Sequence, residues 1–407
     1  MPRIVVLLAL AVLINYVDRG NLAIAAPILT RELALTNSQL GILLSAFFWT
    51  YAPAQILGGW LSDRFDTRIV LAGGLTVWSI ATGLTGFAQG FTALLLLRVL
   101  LGLGECVTFP SCVRLLAQHT PENVRGSANG ILAAGQALGP TLGTLLGGLL
   151  MARFGWRAVF IGSGVGSLLW LWPWGIFARD TPMATTRGAV ESSVSYTTIL
   201  RQPAAWAGSL GHFSVNYGYY FMLTWLPSYL VNARGFNVAD MAKIGALVYC
   251  IHAVCSTLAG VTVDSLIRRG LSPHRVLKRT IVTGILGSAV TIALSATTEG
   301  RTTVVFLALT GVFFGLISPM VSAIVQTLAG AVAAGRWYGA QNVSGQMAGV
   351  VAPLVTGFIV DRTGQFYLAF MVSAAVLLLA AVAYGVLIPR IEPVKWVDDG
   401  QELAARA

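Results

Sequence analysis

The chain has 407 residues, of which 56% are hydrophobic and only 10% charged, and its mean hydropathy is +0.75. Soluble domains carry about 25% charged residues, so this composition excludes a soluble enzyme and points to an all-α protein that crosses the lipid bilayer many times. The net charge of +10 could suit nucleic acid, but the basic residues fall on alternate loops rather than in one patch, so no nucleic-acid partner is expected.

A helix needs about 20 residues to cross the hydrocarbon. Twelve such stretches can be placed, at 3–25, 37–61, 68–88, 92–117, 125–151, 156–178, 204–232, 241–266, 276–296, 302–328, 337–360 and 366–389. The first carries Asp18 and Arg19, the only full charges between Ile4 and Ala26. A charge at membrane depth costs roughly 2.5–3.5 kcal/mol on insertion scales, so residues of this kind usually face a cavity and work there. With Asn15 they share one helical face. The alternative is a structural ion pair between helices. Arg3 ahead of an apolar run and Ala23-Ile24-Ala25 resemble a secretory leader, but two charges inside the run argue against cleavage.

The second stretch leads into the loop Gly59-Trp-Leu-Ser-Asp63-Arg64-Phe-Asp-Thr-Arg68, and the fourth holds Arg98 and Glu105. These two are seven residues apart, on one face and about 10 Å apart along the axis. The fifth carries Gly135, Gly139, Gly143 and Gly147 at intervals of four, a bare stripe along which another helix can approach closely. Pro140 and Pro353 are expected to kink their helices. Arg64, Arg68, Arg125, Arg179, Arg268, Arg269, Arg275, Arg279 and Arg390 fall on one side, which places both termini in the cytoplasm. Cys106, Cys112, Cys250 and Cys255 lie within the stretches without paired spacing and read as small packing residues; no metal site or cofactor is expected.

The longest polar interval, 179–203, divides the chain into six-helix halves, 1–178 and 204–390, followed by a cytoplasmic tail, 391–407. A weak internal repeat supports that division. Gly126, Asn129 and Pro140 recur as Gly339, Asn342 and Pro353 at identical offsets, and Gly59 to Asp63 is echoed by Gly260 to Asp264. In such a parallel duplication the binding site lies near the midplane between the halves.

These residues resemble a known family. The Gly59 to Arg68 loop looks like the signature of the major facilitator superfamily, which implies a cytoplasmic gate of Gly59, Asp63, Arg64 and Arg68; Asp66 stands where that signature has glycine. Asn15-Tyr-Val-Asp-Arg19, Ser45 to Tyr51, Arg98 to Pro110, Leu223-Thr-Trp-Leu-Pro-Ser-Tyr229 and Asn342 to Pro353 are similar to the anion:cation symporters, the group of galactonate, glucarate and hexuronate importers and of vesicular glutamate and sialic acid carriers. The usual Trp-Phe-Pro after the fourth helix is replaced by Gln118-His119-Thr120-Pro121. Spinster-type lipid carriers share the Asn-Tyr-x-Asp-Arg stretch but not the Thr-Trp-Leu-Pro of the seventh span.

The resemblance implies that Arg19 holds a substrate carboxylate and that Asp18 and Glu105 carry protons. The residues suggest the same division. A guanidinium matches a carboxylate with two parallel hydrogen bonds, while burial favours a protonated acid and a neighbouring arginine an ionised one. Arg98 is a partner that tunes an acid or a structural residue. Tyr16, Tyr51, Gln136, Asn216, Tyr219 and Asn342 are candidates to bind the rest of a polyhydroxylated substrate, the family using the positions of Tyr51, Gln136 and Asn342; each can equally be a helix-to-helix hydrogen bond.

The expectation is proton-coupled symport of an organic monocarboxylate, a sugar acid first, by alternating access. The setting is a bacterial inner membrane, with the chain acting as a monomer. An aromatic or other non-sugar carboxylate, with Phe47, Phe48, Trp49 and Tyr220 as its pocket, is the first rival, and a lipid carrier the second. No phosphate-loop GK[ST], HExxH or GxSxG motif occurs, so no enzymatic role is expected.

Overall fold

The computed structural model describes residues 3–120, 125–178 and 194–396. The described chain is almost entirely helical. Ten stretches are long and apolar enough to cross a membrane. One of them, Ala128–Phe177, is two helices joined at Gly155, whose φ of 79° lies where only glycine is at ease. The seventh expected span is Pro203–Ser228, extended by a π turn at Tyr229–Ala233. The expected twelve helices are therefore all present. The tenth and eleventh run without a loop from Gly300 to Thr363, broken only at Gly330, with φ 64°.

The helices group into two compact units. One contains Met1–Arg187, Phe221–Cys250 and Val350–Phe366; the other contains Gly188–Tyr220, Ile251–Gly349 and Tyr367–Ala407. In the first unit, one end of the seventh, eighth and eleventh helices packs with the first six, because small residues let backbones meet. A Cβ built on Gly41 would lie 2.5 Å from the Pro353 carbonyl oxygen, one on Gly357 2.4 Å from that of Asn37, and one on Gly148 2.4 Å from the Ala242 Cβ. The glycine stripe of the fifth helix does what its spacing implies and lies along the first helix. Added Cβ atoms would meet Ala9 O at 2.6 Å from Gly135 and the Tyr16 Cβ at 2.4 Å from Gly139. Beyond Pro140 the same helix widens into a π turn at Gly143–Gly147.

The second helix begins with a full accounting of its exposed amides. Thr36 and Gln39 form a capping box, and Asp361 of the eleventh helix accepts from Asn37 N, Asn37 Nδ2 and Ser38 N at 2.8, 3.0 and 2.6 Å. In the second unit the ninth helix packs on the twelfth. The carbonyls of Leu328 and Ala329, freed by the break at Gly330, accept from Val394 N and Trp396 Nε1 at 2.8 and 2.9 Å. The first residues of the expected tail therefore pack against this unit, and 397–407 lie outside the described residues, as does 179–193 of the expected linker.

Candidate functional site

The fourth span is not one continuous helix. It runs over Phe91–Glu105, breaks at Cys106 and Val107, and resumes over Thr108–His119. Pro110 has no N–H to give the Cys106 carbonyl, and its ring crowds that oxygen, which accounts for the break. Glu105 thus sits at the last turn of a half-helix, fully buried.

Arg19 reaches it from the first helix. Its Nη2 lies 3.1 Å from Glu105 Oε2 and 3.2 Å from Asn15 Oδ1, and both ion-pair partners are buried. Three aromatic faces enclose the guanidinium, Tyr16, Phe47 and Tyr51, with ring centroids 4.7, 4.7 and 4.5 Å from Cζ. Phe47 and Tyr51 stack on each other at 4.8 Å. Planar guanidinium suits planar rings, and a desolvated cation gains most from them.

Asp18 turns elsewhere. Adjacent residues on a helix do not face each other, and Asp18 accepts from Asn21 Nδ2 at 3.2 Å and from Ser167 Oγ of the sixth helix at 3.1 Å. Asn21 also donates to Ser163 Oγ at 3.3 Å. A small cavity, with about 10 Å³ of room for a water's centre, lies between Arg19, Arg98, Phe47, Phe48, Leu223 and Thr224. That is space for about one water, so no sugar acid fits while the site is in this state. Arg98 is buried, and its Nε has no hydrogen-bond partner among the described residues.

The structure therefore gathers Tyr16, Asp18, Arg19, Tyr51, Arg98 and Glu105 in the first unit. Gln136, on the fifth helix, is exposed and does not line the cavity. Asn216, Tyr219 and Asn342 belong to the second unit. There Asn216 Nδ2 bonds the His212 carbonyl of its own helix at 2.9 Å, and Tyr219 packs on Tyr220, His252 and Phe314. Trp49 is 41% exposed and turns away from Phe47 and Phe48. Sequence reasoning missed Asn21, Ser167 and Thr224. Asn21 stands three residues after Asp18, on the same helical face, and was findable; nothing local marks Ser167.

In the expected gate, Gly59 has open space beside it and Arg64 is exposed; the Asp63 side chain lies outside the described residues. Arg68 is held by Asp66 through Nε–Oδ1 and Nη2–Oδ2 bonds of 3.1 Å each, and its Nη1 donates to Ala178 O at 2.9 Å. Asp66 also caps the third helix, accepting from Arg68 N at 2.9 Å. The hydrogen bond from the Arg68 side chain, with the charge it brings, holds the Asp66 carboxyl below the usual carboxylate range. Aspartate in place of the signature glycine thus has a local use.

The model of the major facilitator superfamily matches residues 8–277 and 274–407. The chain is 34% identical over 388 residues to a probable sulfoacetate transporter of Cupriavidus necator, covering 91% of this chain and 90% of that one. It is 31% identical to a hexuronate transporter of Bacillus subtilis, with 93% of each covered, and 30% identical to a D-galactonate transporter of Escherichia coli, with 96% of each covered. Among solved structures, a bacterial homologue of the lysosomal transporter Spinster superposes with a TM-score of 0.82 at 18% identity, over 94% of this chain and 96% of that one. A D-xylose–proton symporter does so with 0.80 at 16%, over 95% and 98%. At such identities these two likenesses are of fold alone. The chain belongs to the major facilitator superfamily and, within it, to the anion:cation symporter family.

Proposed function

We propose that the protein imports an organic acid anion together with protons by alternating access, with a sugar acid as first candidate. The proposed setting is a bacterial plasma membrane with both termini cytoplasmic, the halves 1–178 and 204–390 acting as the moving bundles of a monomer. The observation that carries this reading is the buried Arg19–Glu105 ion pair at 3.1 Å.

A guanidinium cannot shed its proton, so a buried Arg19 is costly without an anion beside it. In the described state that anion is Glu105. A substrate carboxylate that takes the guanidinium leaves Glu105 as a buried carboxylate without a counter-charge, which a dry site accommodates only if a proton joins it. Anion and proton then enter together. Asp18, held by Ser167 and Asn21 one turn away, is the second proton carrier in this scheme, and Arg98 the cation that biases both acids. Tyr16 and Tyr51 meet the substrate beside Arg19, while Gln136, Asn216, Tyr219 and Asn342 are assigned to its hydroxyl groups in other states of the cycle. Gly59, Asp63, Arg64 and Arg68 are assigned to the cytoplasmic gate.

A second reading has support of its own. The cavity is small and mostly apolar, lined by Ala23, Leu44 and Leu223 as well as the two phenylalanines, and one relative is a probable sulfoacetate transporter. With Thr224 as the one neutral polar side chain in that lining, the hydroxyl groups of a hexonate find few partners there, which favours a small non-sugar anion.

Uptake of labelled galactonate into proteoliposomes under an inward proton gradient tests the proposal, with hexuronates, glucarate, sulfoacetate and aromatic acids as competitors. Accumulation that a protonophore abolishes is the expected result. Competition by sulfoacetate alone would move the substrate to the second reading. Accumulation indifferent to the proton gradient would overturn proton coupling.

A further inference from the structure

The second unit carries a groove that the transport scheme does not use. It lies between the eighth helix, Val238–Arg268, the ninth, Pro273–Thr297, and the tenth, and has a volume of about 400 Å³. Its walls are Leu258, Val263, Leu266, Leu316 and Thr283, and its polar end is Arg279. Leu258 is 59% exposed, so the groove opens to the outside of the unit. From Cys255 to Leu266 the lining extends over about 16 Å of helix, about half of the roughly 30 Å hydrocarbon core.

One end of this groove is strongly basic. Arg268, Arg269, Arg275, Lys278 and Arg279 stand within the hairpin that joins the two helices, against the single acid Asp264. Lys278 is committed to the Ile388 and Pro389 carbonyls at 2.9 and 3.1 Å. The side chains of Arg268, Arg269, Arg275 and Arg279 are exposed, and no hydrogen bond or ion pair of theirs is found among the described residues. Three of the five basic residues occupy the first two turns of the ninth helix, where the helix dipole is already positive. Side chains on a helix lean toward its N-terminus, so Arg279 reaches back toward the hairpin and the membrane surface.

An apolar trough one leaflet deep that ends in unpartnered arginines matches a phospholipid whose headgroup is anionic. We propose that this groove binds an anionic phospholipid of the leaflet facing the hairpin, with one acyl chain along Leu258, Val263, Leu266 and Leu316 and the phosphate on Arg279 and its neighbouring arginines. That this leaflet is the cytoplasmic one rests on the proposed orientation; the binding itself does not, and is read without transport.

The test is native mass spectrometry of the purified full chain after exposure to equal amounts of phosphatidylglycerol and phosphatidylcholine, with inorganic phosphate as a third probe. Phosphatidylglycerol adducts are expected to survive preferentially. Arg279→Gln is expected to lower their retention about fivefold, the worth of one basic residue near an anionic surface. Thr283→Trp, which fills the trough, should do so with the charge intact, whereas Arg301→Gln, on the opposite side of the membrane, should change nothing. Equal retention of the two lipids, retention unaffected by both groove variants, or an adduct with inorganic phosphate alone would each overturn the proposal.

Discussion

Replacing Glu105 with glutamine separates the two roles assigned to the ion pair. At 3.1 Å, and with an effective dielectric constant of about 20, the attraction between Arg19 and Glu105 is about 5 kcal/mol. In the wild type an incoming carboxylate must displace that attraction before it gains its own. In Glu105→Gln the competitor is neutral, while Asn15 and the faces of Tyr16, Phe47 and Tyr51 still hold the guanidinium in place. If about a quarter of the attraction is recovered by the substrate, the anion binds about tenfold tighter. Without substrate the variant carries a buried cation that has lost its partner, a cost of about 3–5 kcal/mol in comparable cases. Its melting temperature should therefore fall and return when the anion is added. Calorimetric titration of galactonate at several pH values, with counterflow and gradient-driven uptake in proteoliposomes, reads all three effects. Tighter binding that no longer strengthens on acidification, preserved counterflow and lost accumulation are expected. Weaker binding in a folded variant, or accumulation as in the wild type, would refute the competition on which the coupling rests.

Three further predictions follow from the packing. Gly139→Ala places a Cβ 2.4 Å from that of Tyr16, and overpacking of this order costs about 1–3 kcal/mol; both thermal stability and the affinity for anion should drop, since Tyr16 flanks Arg19. Asp361→Ala removes three acceptor contacts at the start of the second helix, a cap worth about 1 kcal/mol or more. A cysteine placed at Ser38 should then react faster with a membrane-impermeant thiol reagent, and an unchanged rate would show that Asp361 does not hold the start of the second helix in place. Asp66→Ala loses a cap and the anchor of Arg68, about 1 kcal/mol in melting experiments. Because the folded-state value of this carboxyl is depressed, its stabilisation is present above the ordinary value of 3.8 and is lost as pH falls through the depressed one. The difference between wild type and variant should therefore vanish only in strong acid.

Class, helix count and the charged residues of the site were legible in the chain because each rests on a local property. Hydropathy summed over about 20 residues marks a span whatever its neighbours, and Asp18, Arg19, Arg98 and Glu105 stand out because a charge in hydrocarbon is costly wherever it points. The glycine stripe from Gly135 to Gly147 was legible for the same reason, since spacing alone defines a helix face.

Partnership was not legible. Adjacency in sequence put Asp18 beside Arg19, yet the two side chains leave their helix in different directions, Arg19 to Glu105 of the fourth span, 86 residues away, and Asp18 to Ser167 of the sixth, 149 residues away. Aromatic composition allowed Trp49 in a pocket that the second helix lines with Phe47 and Phe48 instead, and the break after Glu105 follows from Pro110, whose ring crowds the Cys106 carbonyl. Asp361 capping the second helix across more than 300 residues has no local signal at all. Which residues can be charged inside a membrane is written in composition, but which of them meet is decided by how far backbones approach and how each helix is turned, and only the tertiary structure contains that.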